Sequence, residues 1–199
     1  MQSQTKHDFW FAVFAAILFA LAFAFAASAD ESYNRREWLP YWIDADKDCQ
    51  STRQEVLIRD SLIPVQLDSK GCKVLSGLWE DPYSGARYSL PNELDVEHII
   101  PIFEANKSGG NPWPIAKKRT FSNELYGYNL IAVHRSLNRS KGSKTPQSWR
   151  PPNRAYWCEY ARRWEAVKLR WGLSIAPEER SALVEMVGTC IPEPAEIEA

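Results

Sequence analysis

Two short strings carry the residues best suited to chemistry. The first, LDVEHIIP at residues 94–101, sets Glu97 directly before His98, with Asp95 two positions earlier. The second, NLIAVHRSLNRSKG at residues 129–142, carries Asn129, His134, Asn138 and Lys141. A hydrolase acting on phosphodiesters needs a base to activate water and a cation to stabilise the leaving oxygen and the developing negative charge. Histidine is the side chain best suited to be that base near neutral pH. A hard divalent cation takes oxygen ligands, which Glu97 and the Asn138 amide can supply while leaving positions open for water and phosphate. A strand histidine on its own is more often a hydrogen-bonded structural residue, so the strings must be weighed together.

The chain that must position them has 199 residues, 45% apolar and 25% charged, with 24 basic against 25 acidic side chains. That composition excludes a collagen, a coiled coil, a disordered tail and a polytopic membrane protein. Its near-neutral balance hides a segregation of charge. Residues 30–106 hold 8 basic and 15 acidic groups, residues 107–170 hold 14 and 3, and residues 171–199 hold 1 and 6. The basic middle is interleaved with aromatics from Trp113 to Trp171. This is how a polyphosphate-binding surface reads, and also how a solvated face matched by neighbouring acidic segments reads.

Residues 1–29 read as a signal peptide. Lys6 precedes an apolar run from Phe9 to Ala27, which ends in the small-residue site Ala27-Ser28-Ala29. Cleavage there leaves residues 30–199 as one exported domain, periplasmic or extracellular, with no stable membrane association. All four cysteines, Cys49, Cys72, Cys158 and Cys190, fall in that mature chain without a zinc-type CxxC pair. Two disulfides are expected, and of the three pairings the placement of two cysteines in each half favours Cys49–Cys72 and Cys158–Cys190.

A coarse α+β reading follows. The spacing predicts a helix over 52–62, with Thr52 as N-cap and Glu55 completing a capping box. Short strands are expected at 72–79 and 87–90 around a turn at 81–85, and further strands at 94–100 and 129–133. Helices are expected at 114–125 and 136–141, then after Pro151-Pro152 a long helix capped by Asn153 and ended by Gly172, and a last one from 177 to 187.

Taken together, the two strings closely resemble the HNH, or ββα-metal, endonuclease motif: acid-His ending one strand, Asn-Leu in the next, and Asn-x-x-Lys opening a short helix. The wider chain is similar to exported bacterial HNH proteins related to the nuclease part of modification-dependent restriction systems. Asp44 to Arg53, Asp81-Pro82-Tyr83-Ser84-Gly85 and the segment around Pro151 carry that likeness. The resemblance implies a ββα-metal core at about residues 88–145, flanked by helices and short strands and stabilised by disulfides. It implies His98 as general base, Glu97 and Asn138 as ligands of a divalent metal (Mg²⁺, or Mn²⁺ in its place), and Asn129 as a brace for the His98 loop. Lys141 would face phosphate or support the helix. Glu97 stands where the family usually has Asp, and Asn138 fills the position of the motif's last histidine. His134 has no role in it.

Asp44, Asp46, Asp48 and Glu55 occupy positions 1, 3, 5 and 12 of an EF-hand-like calcium loop, although Cys49 replaces the glycine at position 6. A structural Ca²⁺ site and an acidic loop stitched by Cys49 both fit. Arg53 either reaches the scissile phosphate or is an exposed arginine. Arg135, Arg139 and Lys144 are the candidate contacts to nucleic acid. The expectation is a monomeric, metal-dependent endonuclease of low sequence specificity acting on DNA, with RNA as the alternative substrate. Alternatives are a more selective nicking nuclease or toxin, and a non-catalytic, calcium-stabilised nucleic-acid or envelope-binding module.

Overall fold

A computed structural model describes residues 33–190, so the expected signal peptide lies outside the described residues. In chain order the elements are α1 (Arg35–Trp38), α2 (Thr52–Asp60), β1 (Gln66–Leu67), β2 (Val74–Ser76), β3 (Trp79–Glu80), β4 (Arg87–Tyr88) and β5 (Leu94–His98). These are followed by α3 (Ile102–Ala105), α4 (Ile115–Asn123), β6 (Leu130–His134), α5 (Arg135–Lys141), α6 (Trp157–Trp171) and α7 (Pro177–Val187). The strands form three antiparallel pairs, β1–β2, β3–β4 and β5–β6. The chain is thus a mixture of helices and short strands, and no helix among the described residues is long and apolar enough to cross a membrane.

The pair β5–β6 is the longest, with Leu94 opposite His134 and His98 opposite Leu130. Strand alternation gives it two different faces. Leu94 and Val96, with Leu130 and Ala132, pack on Val56 and Leu57 of α2, on Val74 and on Trp79. Asp95 and Glu97 face the other way. The outer edge of β6 is closed by α2, since Asp60 Oδ2 accepts the Ala132 amide at 2.8 Å and Arg59 donates to the Leu130 carbonyl at 2.6 Å. A sheet edge covered in this way offers no template for a further strand.

Several boundaries differ from the sequence expectation, each for a local reason. Helix α2 has Ser51 at its N-cap position, and Thr52 Oγ1 donates instead to the Ile43 carbonyl at 3.0 Å, so the predicted capping box does not form. The helix ends at Asp60, and the Leu62 amide turns to the Leu78 carbonyl. The strand expected over 72–79 is split at Gly77, where a Cβ would lie 2.6 Å from the Trp79 ring. The second site strand starts one residue late because Asn129 is taken up by Ile99 and Ile100. Helix α1, and α3 running into a wide turn at Asn106–Gly110, had no clear signal in the sequence.

Two disulfides tie the ends together. Cys49–Cys72 joins the acidic loop to the turn before β2, and Cys158–Cys190 joins α6 to the segment after α7. Between α6, α7 and α3, the buried Lys168 ammonium bonds Glu104, Glu179 and the Ser174 carbonyl.

Candidate active site

Residues two apart on a strand share a face, and residues three apart on a helix share a face. Helix α5 lies along β5, so Asn138 and Lys141 meet Asp95 and Glu97 as two rungs. On the first rung, Asn138 Nδ2 lies 3.1 Å from Asp95 Oδ2, and Arg139 Nε approaches the same oxygen at 3.8 Å. The Asp95 side chain keeps 33% of its exposure. On the second rung, the Lys141 ammonium donates to Glu97 Oε1 and, at 3.0 Å, to the His98 carbonyl. Both side chains are buried. Burial pushes the Glu97 carboxyl up and the Lys141 ammonium down, and the charge of each opposes the other's shift. The Tyr83 hydroxyl also faces Glu97 and lowers its pKa, although it falls short of regular hydrogen-bond geometry.

His98, the last residue of β5, joins neither rung. Its imidazole lies between the Trp42 ring (centroids 5.6 Å apart, planes at 10°) and Phe121 (6.5 Å, 13°). Nε2 lies 2.9 Å from the Ser122 carbonyl. That carbonyl sits in the last turn of α4, where helix acceptors lack an intrahelical partner. Because a carbonyl only accepts, the contact fixes the proton on Nε2 and leaves the lone pair on Nδ1. Burial holds the imidazole well below its usual value, at about 3, so it is neutral at physiological pH.

Asn129 is fully buried. Its Oδ1 accepts the Ile100 amide at 2.9 Å and its backbone carbonyl accepts Ile99 at 2.8 Å, fixing the turn after His98. Arg53 does not project freely, since its guanidinium donates to the carbonyls of Pro91 and Leu94 at 3.0 and 3.1 Å, close to Asp95. Arg135 and Arg139 are on α5 with their heads outward, and Arg135 reaches the Asn92 carbonyl. Lys144 follows the helix and lines a cleft of about 290 Å³ with Lys107, Thr145 and Gln147. Gly142, at φ 55°, makes the turn between them. His134 bonds Ser136 Oγ at 2.7 Å and stacks on Tyr88.

The acidic loop is a separate cluster. Asp44, Asp46 and Asp48 are exposed, with ligand-capable oxygens within 4.8 Å of one another. Their carboxylates accept amides of the loop itself, Asp44 from Lys47 and Cys49, Asp46 from Asp48, and Asp48 from Gln50. Glu55 is raised by partial burial first and then by these three charges.

The donor set at the first rung fits a hard cation. A half-turn of the Asn138 amide presents its oxygen to Asp95 in place of its nitrogen, at the observed 3.1 Å. Neighbouring ligands of an octahedral ion with bonds near 2.1 Å are separated by about 3.0 Å. Sequence reasoning placed the carboxylate of interest at Glu97, passed over Ser122 and Trp42, and gave Phe121 and Tyr83 no part in the site. Strand alternation ties Asp95 to Glu97, but only the helix packing reveals which of the two meets Asn138.

Residues 51–186 match the model of the family described as GmrSD restriction endonucleases, C-terminal domain. The chain is 40% identical over 155 residues to an uncharacterized secreted protein of Arthroderma benhamiae, covering 78% of this chain and 74% of that protein. The similarity therefore extends to a fungal protein and is not confined to bacteria. No solved structure matches. Both rungs, His98 and its Ser122 acceptor lie within the matched span, and the chain belongs to the family of GmrSD restriction endonuclease C-terminal domains.

Proposed function

We propose that the chain is an exported, metal-dependent endonuclease that hydrolyses DNA phosphodiester bonds with little sequence specificity through a ββα-metal core. The observation that carries this reading is the contact of Asn138 on α5 with Asp95, on the strand that ends in a neutral His98 with its Nε2 proton already committed. Family membership supports a nuclease. Two disulfides and a secreted relative support export.

Asp95 and Asn138 are the residues that would hold the cation, with Glu97, the acid expected from the motif, engaged by Lys141 instead. When bound, the cation supplies charge stabilisation for the phosphorane-like transition state and the leaving oxygen. His98 takes the proton of the attacking water on Nδ1. Its bond to Ser122 keeps the ring in the tautomer that can do so. A phosphodiester bound beside it adds negative charge and moves the imidazole pKa back up, toward the range where a base works well. Asn129 keeps the turn after His98 rigid, so the ring does not have to be ordered at the moment of reaction. Arg135, Arg139 and Lys144 carry cationic groups for the phosphates of the nucleic acid, contacts that position the duplex without reading its sequence.

Incubating the oxidised mature protein with plasmid and linear DNA, with and without EDTA, tests the reading. Cleavage with Mg²⁺ or Mn²⁺ that EDTA abolishes supports it, whereas gel retardation without turnover would favour a binding module.

A further inference from the structure

We propose that Glu97 and Lys141 form a buried strut that positions the site, tying α5 and its Asn138 to the His98 carbonyl, and that Glu97 does not hold the cation. The inference rests on the nuclease reading above, and it parts from the expectation that the acid next to the histidine is a metal ligand.

The surroundings of Glu97 are wrong for a hard cation. Such an ion needs open positions for water and phosphate as well as anionic oxygen. Glu97 is 4% exposed and its negative charge is already met by an ammonium that is itself fully buried. Tyr83 and Tyr160 sense its charge, and the Trp164 ring centroid lies 5.9 Å from Lys141 Nζ. Asp95, by contrast, is partly exposed and already touches Asn138.

The same ion pair is well placed for mechanical work. Lys141 is three residues beyond Asn138 on one helix face, and its ammonium reaches both the acid before His98 and the carbonyl of His98 itself. The spacing between the Asn138 amide and the base is therefore set by one side chain with two acceptors. Buried ion pairs contribute little net stability but are costly to break singly, which suits a part that fixes geometry.

Four variants of the full oxidised chain test this: Glu97→Gln, Lys141→Met, the two combined, and Asp95→Asn. The readouts are Mn²⁺ affinity by electron paramagnetic resonance, melting temperature, and kcat and KM. Glu97→Gln is expected to keep the Mn²⁺ Kd within about threefold, while Asp95→Asn weakens it by more than about tenfold. Lys141→Met is expected to melt lower, because it leaves Glu97 unpaired. Removing both charges should restore much of the melting temperature, while kcat stays about 10- to 100-fold down at similar KM, since no donor reaches the His98 carbonyl. Recovery of kcat along with stability in the double variant would overturn the positioning role. Loss of Mn²⁺ binding in Glu97→Gln but not in Asp95→Asn would return Glu97 to the metal. A parent protein that neither binds Mn²⁺ nor cuts DNA would instead overturn the nuclease reading, and the strut with it.

Discussion

His98 Nε2 and the Ser122 carbonyl oxygen are 2.9 Å apart, joining the end of β5 to the last turn of α4. The contact uses an acceptor that the helix cannot satisfy itself and a donor that would otherwise be stranded between two rings. It makes His98 a packing element of the Trp42–Phe121 stack and leaves the lone pair on Nδ1, as the proposed role of base requires. These two roles predict different responses to pH and to mutation.

The first response is in stability. The folded imidazole titrates at about 3, below the unfolded value of 6.5. Between those values the unfolded chain binds a proton that the folded chain does not. The stabilising contribution is therefore complete above pH 6.5 and is lost as pH falls toward 3, at up to about 1.4 kcal/mol per pH unit. In EDTA buffer the melting temperature should fall from pH 7 to pH 4, and His98→Gln should flatten that fall. An equal slope in both proteins would show that His98 titrates normally.

The second concerns the disulfides, which close separations of 23 and 32 residues. Each should contribute about 3–4 kcal/mol in the chain-entropy model. Cys49→Ser/Cys72→Ser and Cys158→Ser/Cys190→Ser should both lower the denaturant midpoint, and the second pair should also loosen α7 from α6 in hydrogen exchange. A midpoint unchanged by either double substitution would show that the bridge adds nothing.

The third concerns the nucleic-acid path. Arg135, Arg139 and Lys144 present exposed cationic groups around α5. Reversing all three charges should make the log–log salt slope of DNA binding shallower by roughly 2–3, at about 0.9 per phosphate contact. Fluorescence anisotropy across a salt series measures this, and an unchanged slope would place the DNA on another face.

The fourth concerns the first rung. Asn138→Ala removes an oxygen donor but leaves Asp95 and His98 in place, so part of its activity loss should return as Mg²⁺ is raised. Activity that stays equally low at every metal concentration would mean that Asn138 acts on the fold instead.

Much of this arrangement was legible in the sequence, because periodicity and punctuation act locally. The alternation in residues 94–98, the helix stop at Gly142 and the pairing of cysteines within each half are all local patterns, whereas Asn153, expected to cap the long helix, caps the short 3₁₀ turn Arg154–Tyr156 before it and Tyr156 stands at the N-cap of α6. The partners of the charged residues were not legible. Asp95 and Glu97 share a strand face, and only the height of α5 along β5 decides that Asn138 meets one and Lys141 the other. Thr52 reads as a cap but is drawn to Ile43 by a loop that the Cys49–Cys72 bridge holds in place. Ser122 has no motif at all, since only its backbone is used.

The central claim is that His98 is the base, and His98→Ala tests it most directly. The substitution leaves Asp95, Asn138 and the cationic groups of α5 intact. A protein that folds, binds DNA with parental affinity and cuts it roughly 10²–10⁴ times more slowly is the expected result. A folded His98→Ala protein that cleaves DNA at the parental rate would contradict the assignment.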